Sequence, residues 1–177
     1  MELQDIASQE NFFKMYEFYY SKMYNYVFFR VQNRESSEDL VSEIFLKLFE
    51  NRIKFDARKA KISTWIFTVA RNCLSDYFRK DRKNRDYMIT SADISEIADD
   101  IADNATPEDY FFRNIEITDM IGSLQKLDAR EFDIVYLKYV MSLSYREISS
   151  YMNITEKNAS VILTRTLKKL KKIFEET

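Results

Sequence analysis

The sequence predicts an all-α protein of two small helical domains joined by a flexible linker. Three observations lead there. One Gly and one Pro among 177 residues cannot supply the many turns that a β protein needs. Apolar residues recur at helical spacing in each long segment. Several of those segments open on a Ser, Thr or Asp with an acid three residues on, the pattern of a capped helix start.

The elements follow in order. Residues 10–31 carry Phe12, Tyr16, Tyr19, Met23 and Tyr26 at helical spacing, with further aromatics off that stripe. Either several helices surround this one, or part of its surface serves a partner. Ser36 to Asp39 reads as a helix start. Leu40, Val41, Ile44, Phe45, Leu48 and Phe49 then form one apolar stripe, opposite Glu38, Asp39, Ser42, Glu43 and Lys47. Phe55 to Lys61 has no helical period and is basic, so it is expected as a loop. Ser63 is expected to cap a helix from Thr64 to about Lys80, with Trp65, Ile66, Val69, Cys73 and Tyr77 on its inner side. Thr106 and Pro107 mark another start, with Pro at the first helical position. Asp128 with Glu131 opens a helix whose stripe is Phe132, Val135, Tyr136, Tyr139 and Val140. Ser144 with Glu147 opens a short one ending near Met152. Thr155 caps a last helix to about Phe174, packed through Ala159, Ile162 or Leu163, Thr166, Leu170 and Ile173.

Composition narrows the function. There is no His, which excludes a His-containing zinc site and any catalytic triad built on imidazole. Cys73 is the single cysteine, so no internal disulfide forms; on an apolar helix side it is expected as a small core residue. No Gly-rich phosphate loop, metal-ligand cluster or nucleophile–base pair is present. No enzyme activity, metal or cofactor is therefore expected. No apolar run is long enough to span a membrane, and the acidic start lacks the apolar core of a signal peptide. A cytoplasmic protein is expected.

Charge is distributed by segment. Bases gather between Arg71 and Arg85, and six more lie between Lys157 and Lys172. From Asp86 to Tyr110 there are eight acids and no base. Two basic stretches separated by an acidic one form a domain-scale pattern.

Ser144 to Leu170 is the strongest local signal. A short capped helix, a tight turn and a longer basic helix make a helix-turn-helix. Ser149 is small where two helices cross, Asn153 tolerates the left-handed backbone of the turn, and Ala159 is small where the second helix packs back. The outer face of that helix would carry Lys157, Asn158, Ser160, Val161, Thr164 and Arg165. Lys and Arg suit guanine or phosphate, Asn suits adenine, and Val161 suits a thymine methyl. The competing reading is a helical hairpin packed on a protein, which a cationic face fits poorly. The second constellation runs from Phe55 to Arg85, where bases accompany aromatics as in single-strand binding. For Trp65 itself, a core role and a base-stacking role stay open.

These residues resemble a known family. The run Ser36-Ser-Glu-Asp-Leu-Val-Ser-Glu-Ile-Phe-Leu-Lys-Leu-Phe49 and the run Ile62-Ser-Thr-Trp-Ile-Phe-Thr-Val-Ala-Arg-Asn-Cys-Leu-Ser-Asp-Tyr-Phe78 are similar to the second region of extracytoplasmic-function sigma factors. Leu124 to Val140, followed by Leu143-Ser-Tyr-Arg-Glu-Ile148, resembles their fourth region. The likeness covers about residues 12–172 in the family's order. Ser42 departs from a frequent Gln, Lys157 from a small residue, and Ser160 and Ile162 from frequent Lys and Arg.

The resemblance implies a sigma factor with no catalytic site. Residues 1–85 would be a region 2 helical bundle, 86–105 an acidic linker, and 106–177 a region 4 helix-turn-helix. Asp39, Leu40, Glu43, Ile44 and Lys47 would contact core RNA polymerase. Arg58, Lys59, Lys61, Ser63, Thr64, Trp65, Thr68, Arg71, Asn72, Ser75, Asp76 and Arg79 would bind and open the promoter's minus-ten element. Tyr145, Arg146, Thr155, Lys157, Asn158, Ser160, Val161, Thr164, Arg165 and Lys168 would read the minus-thirty-five element. Partners would be the largest and second-largest polymerase subunits, promoter DNA and, as is frequent in the family, an anti-sigma protein. The alternative is a free-standing helix-turn-helix regulator that acts without core polymerase.

Overall fold

The computed structural model describes residues 6–80 and 122–175. The acidic linker and the helix start expected at Thr106 lie outside these residues. The chain divides into two compact units, Met1–Met88 and Ile89–Thr177. All regular structure among the described residues is helical.

The first unit contains α1 (Gln9–Val31), α2 (Arg34–Asn51) and α3 (Ile62–Lys80). Ser8 caps α1 by accepting from the Asn11 amide at 3.2 Å. Gln32 ends it in the left-handed region, at φ 56°, with its own amide donating to the Phe28 carbonyl at 2.8 Å. Asn33 then caps α2 through the Ser36 amide at 2.9 Å. The expected cap, Ser36, therefore lies inside the helix, because Asn33 satisfies the same orphan amides three residues earlier. Two residues suffice to turn the chain back. Phe12 meets Phe49 at 5.1 Å and Tyr16 meets Phe45 at 4.7 Å between ring centroids, so α1 and α2 run antiparallel. A 3₁₀ turn at Arg52–Lys54 leads to the expected irregular stretch before α3.

The core of this unit is α2 packed against both α1 and α3. Met15, Met23, Val27, Val41, Ile44, Leu48, Ile66, Phe67 and Ala70 have no exposed surface. Tyr26 closes on Phe67 edge-to-face at 4.9 Å. Three expectations shift here. On α3, Val69 and Tyr77 are only half-buried, and Phe67, Ala70 and Leu74 take inner positions beside Ile66 and Cys73. Met15 takes the inner position of α1 while Tyr16 is only half-buried, and α3 starts at Ile62 with Ser63 buried inside its first turn. Ser63 is therefore not the cap: its hydroxyl partners the buried Tyr19 instead.

The second unit contains α4 (Ala129–Val135), α5 (Tyr145–Met152) and α6 (Glu156–Glu175). Asp128/Glu131 and Ser144/Glu147 both form reciprocal capping boxes. Beyond α4 the chain widens into a π-helical turn, Tyr136–Val140, in which the Met141 amide reaches back five residues to the Tyr136 carbonyl. The extra residue rotates the stripe. Tyr136 and Leu137 are buried, whereas Tyr139 and Val140, expected inside, are exposed. Ser142 then holds a left-handed φ of 54°. On α6 the inner positions are Ala159, Leu163, Thr166 and Leu170. Leu163 thus wins over Ile162, and Ile173 is only half-buried.

A left-handed backbone costs a residue with a Cβ roughly 1–2 kcal/mol. Gly escapes this cost but loses more chain entropy on folding. Ser142→Gly is therefore expected to raise stability by about 0.5–1 kcal/mol, read as a higher thermal midpoint by circular dichroism. A fall would show that the Ser142 side chain makes a stabilising contact.

Candidate nucleic-acid interface

Three surfaces take shape. The first is the outer face of α2. Burial of Leu40 and Ile44, which retain 4% and 0% exposure, turns Asp39, Ser42 and Glu43 outward. Leu40 and Ile44 were expected as partner contacts. They instead hold the face in place from beneath, since a side chain sealed in its own core has no surface left for a partner. Leu46, 57% exposed, lies on the same outward face one turn past Ser42 and Glu43. The apolar group on this face is therefore Leu46, which the apolar-stripe reading passed over because Leu46 falls off the stripe. Lys47 hydrogen-bonds Glu43 and lies 3.5 Å from the Cys73 sulfur. The Glu43 contact, first among several causes, holds the Lys47 ammonium above its ordinary pKa. Burial pushes the Cys73 thiol up, against the opposing pull of Lys47. Cys73 is a core residue, as expected.

The second surface is the Phe55–Lys61 connection with one face of α3. Asp56 organises the connection. Its carboxylate accepts from the Arg58 amide and Nε, both at 3.0 Å, and from Nη2 at 3.1 Å, while its carbonyl accepts from the Lys59 amide. The Arg58 side chain, the largest cause, lowers the Asp56 pKa. Arg58, Lys59 and Lys61 are all exposed. Trp65 is half-buried, with its ring 5.1 Å from Phe55. It is part core and part surface, so both roles left open for it have a structural basis. Helical spacing puts Trp65, Thr68, Asn72, Ser75, Asp76 and Arg79 on one face, with Thr64 and Arg71 at its edges. Ser63 does not join them, being 7% exposed and turned inward. Asp76 and Arg79 form an ion pair at 3.0 Å. The Thr68 and Ser75 hydroxyls donate to the Thr64 and Arg71 carbonyls of their own helix.

The third surface is the helix-turn-helix. Asn153 ends α5 at φ 54° and ψ 52°, the left-handed residue that the turn needs. Its amide donates to the Ser149 carbonyl, as does the Ile154 amide at 3.0 Å. Ser149 and Ala159 are buried, so two small residues allow close approach of the helices. Thr155 caps α6 through the Asn158 amide at 3.2 Å. Lys157, Asn158, Val161, Thr164, Arg165 and Lys168 are exposed together, opposite the buried positions, and Ser160 is half-buried at their margin. Arg146 is exposed on α5. Tyr145 is half-buried beneath the Lys138 ammonium, which lies 4.7 Å from its ring centroid. Lys169 anchors α6 to α4 by pairing with Glu131 at 2.6 Å. The same Glu131 oxygen accepts from the Asp128 amide at 3.0 Å.

A helix-turn-helix with an outward cationic second helix, accompanied by a separate three-helix module, defines a DNA-binding transcription factor. Residues 15–84 match the family described as Sigma-70 region 2, and residues 119–170 match Sigma-70, region 4. The chain belongs to the sigma-70 family, in its extracytoplasmic-function group, and its function is that of a sigma factor in transcription initiation. The ECF RNA polymerase sigma factor SigM of Bacillus subtilis (strain 168) is 27% identical over 162 residues, which is 91% of this chain and 93% of that relative. SigW of the same organism is 28% identical over 154 residues, 84% of this chain and 80% of the relative. Among solved structures, CnrH in complex with the cytosolic domain of CnrY superposes with a TM-score of 0.67 at 15% identity, covering 96% of this chain and 90% of the other. The sigma factor RpoE in complex with the anti-sigma factor NepR from Bartonella quintana gives 0.67 at 14%, covering 94% and 98%. Both show the fold. A free-standing regulator is not favoured, because it has no need of the N-terminal region that matches here. No helix among the described residues is long and apolar enough to cross a membrane.

Proposed function

We propose that this chain joins core RNA polymerase in the cytoplasm, directs it to promoters through two separate DNA contacts, and performs no catalysis itself. The observation that carries this reading is the presence of both sigma regions, in order, each on its own helical unit with an outward polar face. Residues 1–85 act as region 2, 86–105 as an acidic tether suited to a basic channel built for nucleic acid, and 106–177 as region 4. Asp39, Glu43 and Leu46 contact the largest polymerase subunit, with Lys47 at the margin. A central apolar side chain within a polar rim is the usual anatomy of such an interface. The 55–61 connection and the outer face of α3 bind the minus-ten element as it opens, with Arg58, Lys59 and Lys61 on phosphates and Trp65 beside unstacked bases. The α6 helix enters the major groove at the minus-thirty-five element through its N-terminal half. Arg146 and Lys168 lie on flanking phosphates. An anti-sigma protein fits as a partner, since RpoE of Bartonella quintana, similar in fold, forms a complex with the anti-sigma factor NepR.

Reconstitution tests the reading. Bacterial core polymerase is expected to start from a cognate promoter only when this protein is added, measured by run-off transcription. Failure to form a stable complex with core in a pull-down would sink it. Glu43→Arg reverses an exposed charge and gives up only the surface pair with Lys47, a loss of about 0.2–0.5 kcal/mol. It is expected to weaken core binding about tenfold with only a small fall in unfolding midpoint; unchanged affinity would remove α2 from the interface. Arg165→Ala is expected to weaken upstream recognition by about 1–3 kcal/mol and to spare initiation on a pre-opened template. Equal loss on both templates would refute the division of labour.

A further inference from the structure

The outward face of α6 contains one side chain that phosphate binding does not explain. Val161 is 38% exposed. It lies four residues after Lys157 and four before Arg165, three after Asn158 and three before Thr164, so helical spacing encloses it among all four. A single exposed Val is ordinary on a protein surface. This one occupies the middle of the face that the helix-turn-helix presents, while α6 packs through Ala159, Leu163, Thr166 and Leu170 on the opposite side. Val161 is therefore not among the side chains that bury α6 against its own module. It also does not favour the helix, since a β-branched residue on a helix surface is a weaker helix former than Ala. For an interface that contacted only the sugar-phosphate backbone, an isopropyl group here would displace a donor. Thr164, one turn on, adds to the apolar character. Its hydroxyl donates to the Ser160 carbonyl at 2.9 Å, which leaves the methyl as the part of that side chain without a hydrogen-bond role.

One groove feature of DNA matches an apolar group flanked by an amide and cations. In the major groove, thymine alone carries a C5 methyl group, and it distinguishes T·A from C·G at the same position. We propose that Val161 determines specificity in the upstream promoter element by packing against a thymine methyl, with Thr164 beside it. Lys157, Asn158 and Arg165 supply the polar contacts around that position. This inference rests on the groove-entering role assigned to α6 above and names the base feature that the helix reads.

The test uses the whole chain in holoenzyme with bacterial core polymerase, on a promoter mapped from its own transcripts. Each thymine of the upstream element is replaced singly by deoxyuridine, which removes only the methyl group, and open-complex formation is measured for wild type and for Val161→Ala. One deoxyuridine position is expected to weaken wild-type binding about fourfold, the factor that burial of one methyl-sized group supplies. The same replacement is expected to leave Val161→Ala unchanged. Val161→Ala should fold, because Ala at an exposed helix position raises helix propensity. Normal promoter-specific initiation with no sensitive thymine would overturn the inference, as would a sensitive thymine whose effect is equal in Val161→Ala. Absence of any promoter-specific initiation by wild type would instead overturn the function proposed above, and this inference with it.

Discussion

The structure of the N-terminal unit depends on the burial of α2 between α1 and α3. Val41, Ile44 and Leu48 of that helix have no exposed surface. Fully burying an aliphatic side chain of this size contributes roughly 1.5–3 kcal/mol, so no competing orientation of α2 about its axis is accessible. That orientation decides what the helix offers outside. Leu40 and Ile44 point in, while Asp39, Ser42, Glu43 and Leu46 point out. The outward face of α2 is thus a by-product of core packing, and its rigidity derives from the same source.

The C-terminal unit solves a different problem. A helix that reads DNA must leave most of its circumference free, so few residues can hold it. On α6 these are four small or aliphatic inner side chains, the Thr155 cap and the Lys169–Glu131 pair. Glu131 links that pair to the capping box of α4, so one carboxylate helps to fix both a helix start and the placement of the reading helix. The pair is partly exposed, and such pairs contribute little to stability by themselves. Its value is orientation.

Much of this was legible from residue types. The capping boxes at Asp128 and Ser144, the turn at Asn153 and the outward set from Lys157 to Lys168 appear as the sequence indicates, because each depends on contacts within a few residues. The errors have the opposite character. Ser36 and Ser63 look like caps, yet Asn33 holds the first position and Tyr19 claims the second. Leu40 and Ile44, expected at an interface from the family pattern, are buried in the unit's own core. Tyr139 and Val140 continue the apolar spacing of α4 and still end outside, because a π-turn inserts one residue into the period. Leu46 is not foreseen as exposed, since nothing local marks an exposed leucine as different from a buried one.

The sequence by itself determined the helical class, the two-part basic and acidic organisation, the helix-turn-helix and the family. The first three rest on composition, short-range capping and helical period, and the family on the likeness of particular runs to known sequences; all are properties of the chain before it folds. Only the tertiary structure decided which of two adjacent apolar residues faces the core, which hydroxyl is a cap and which is a buried partner, and which side chains remain at the surface for polymerase or DNA. Those outcomes depend on neighbours distant in sequence, and a side chain can be given to the core or to a partner but not to both.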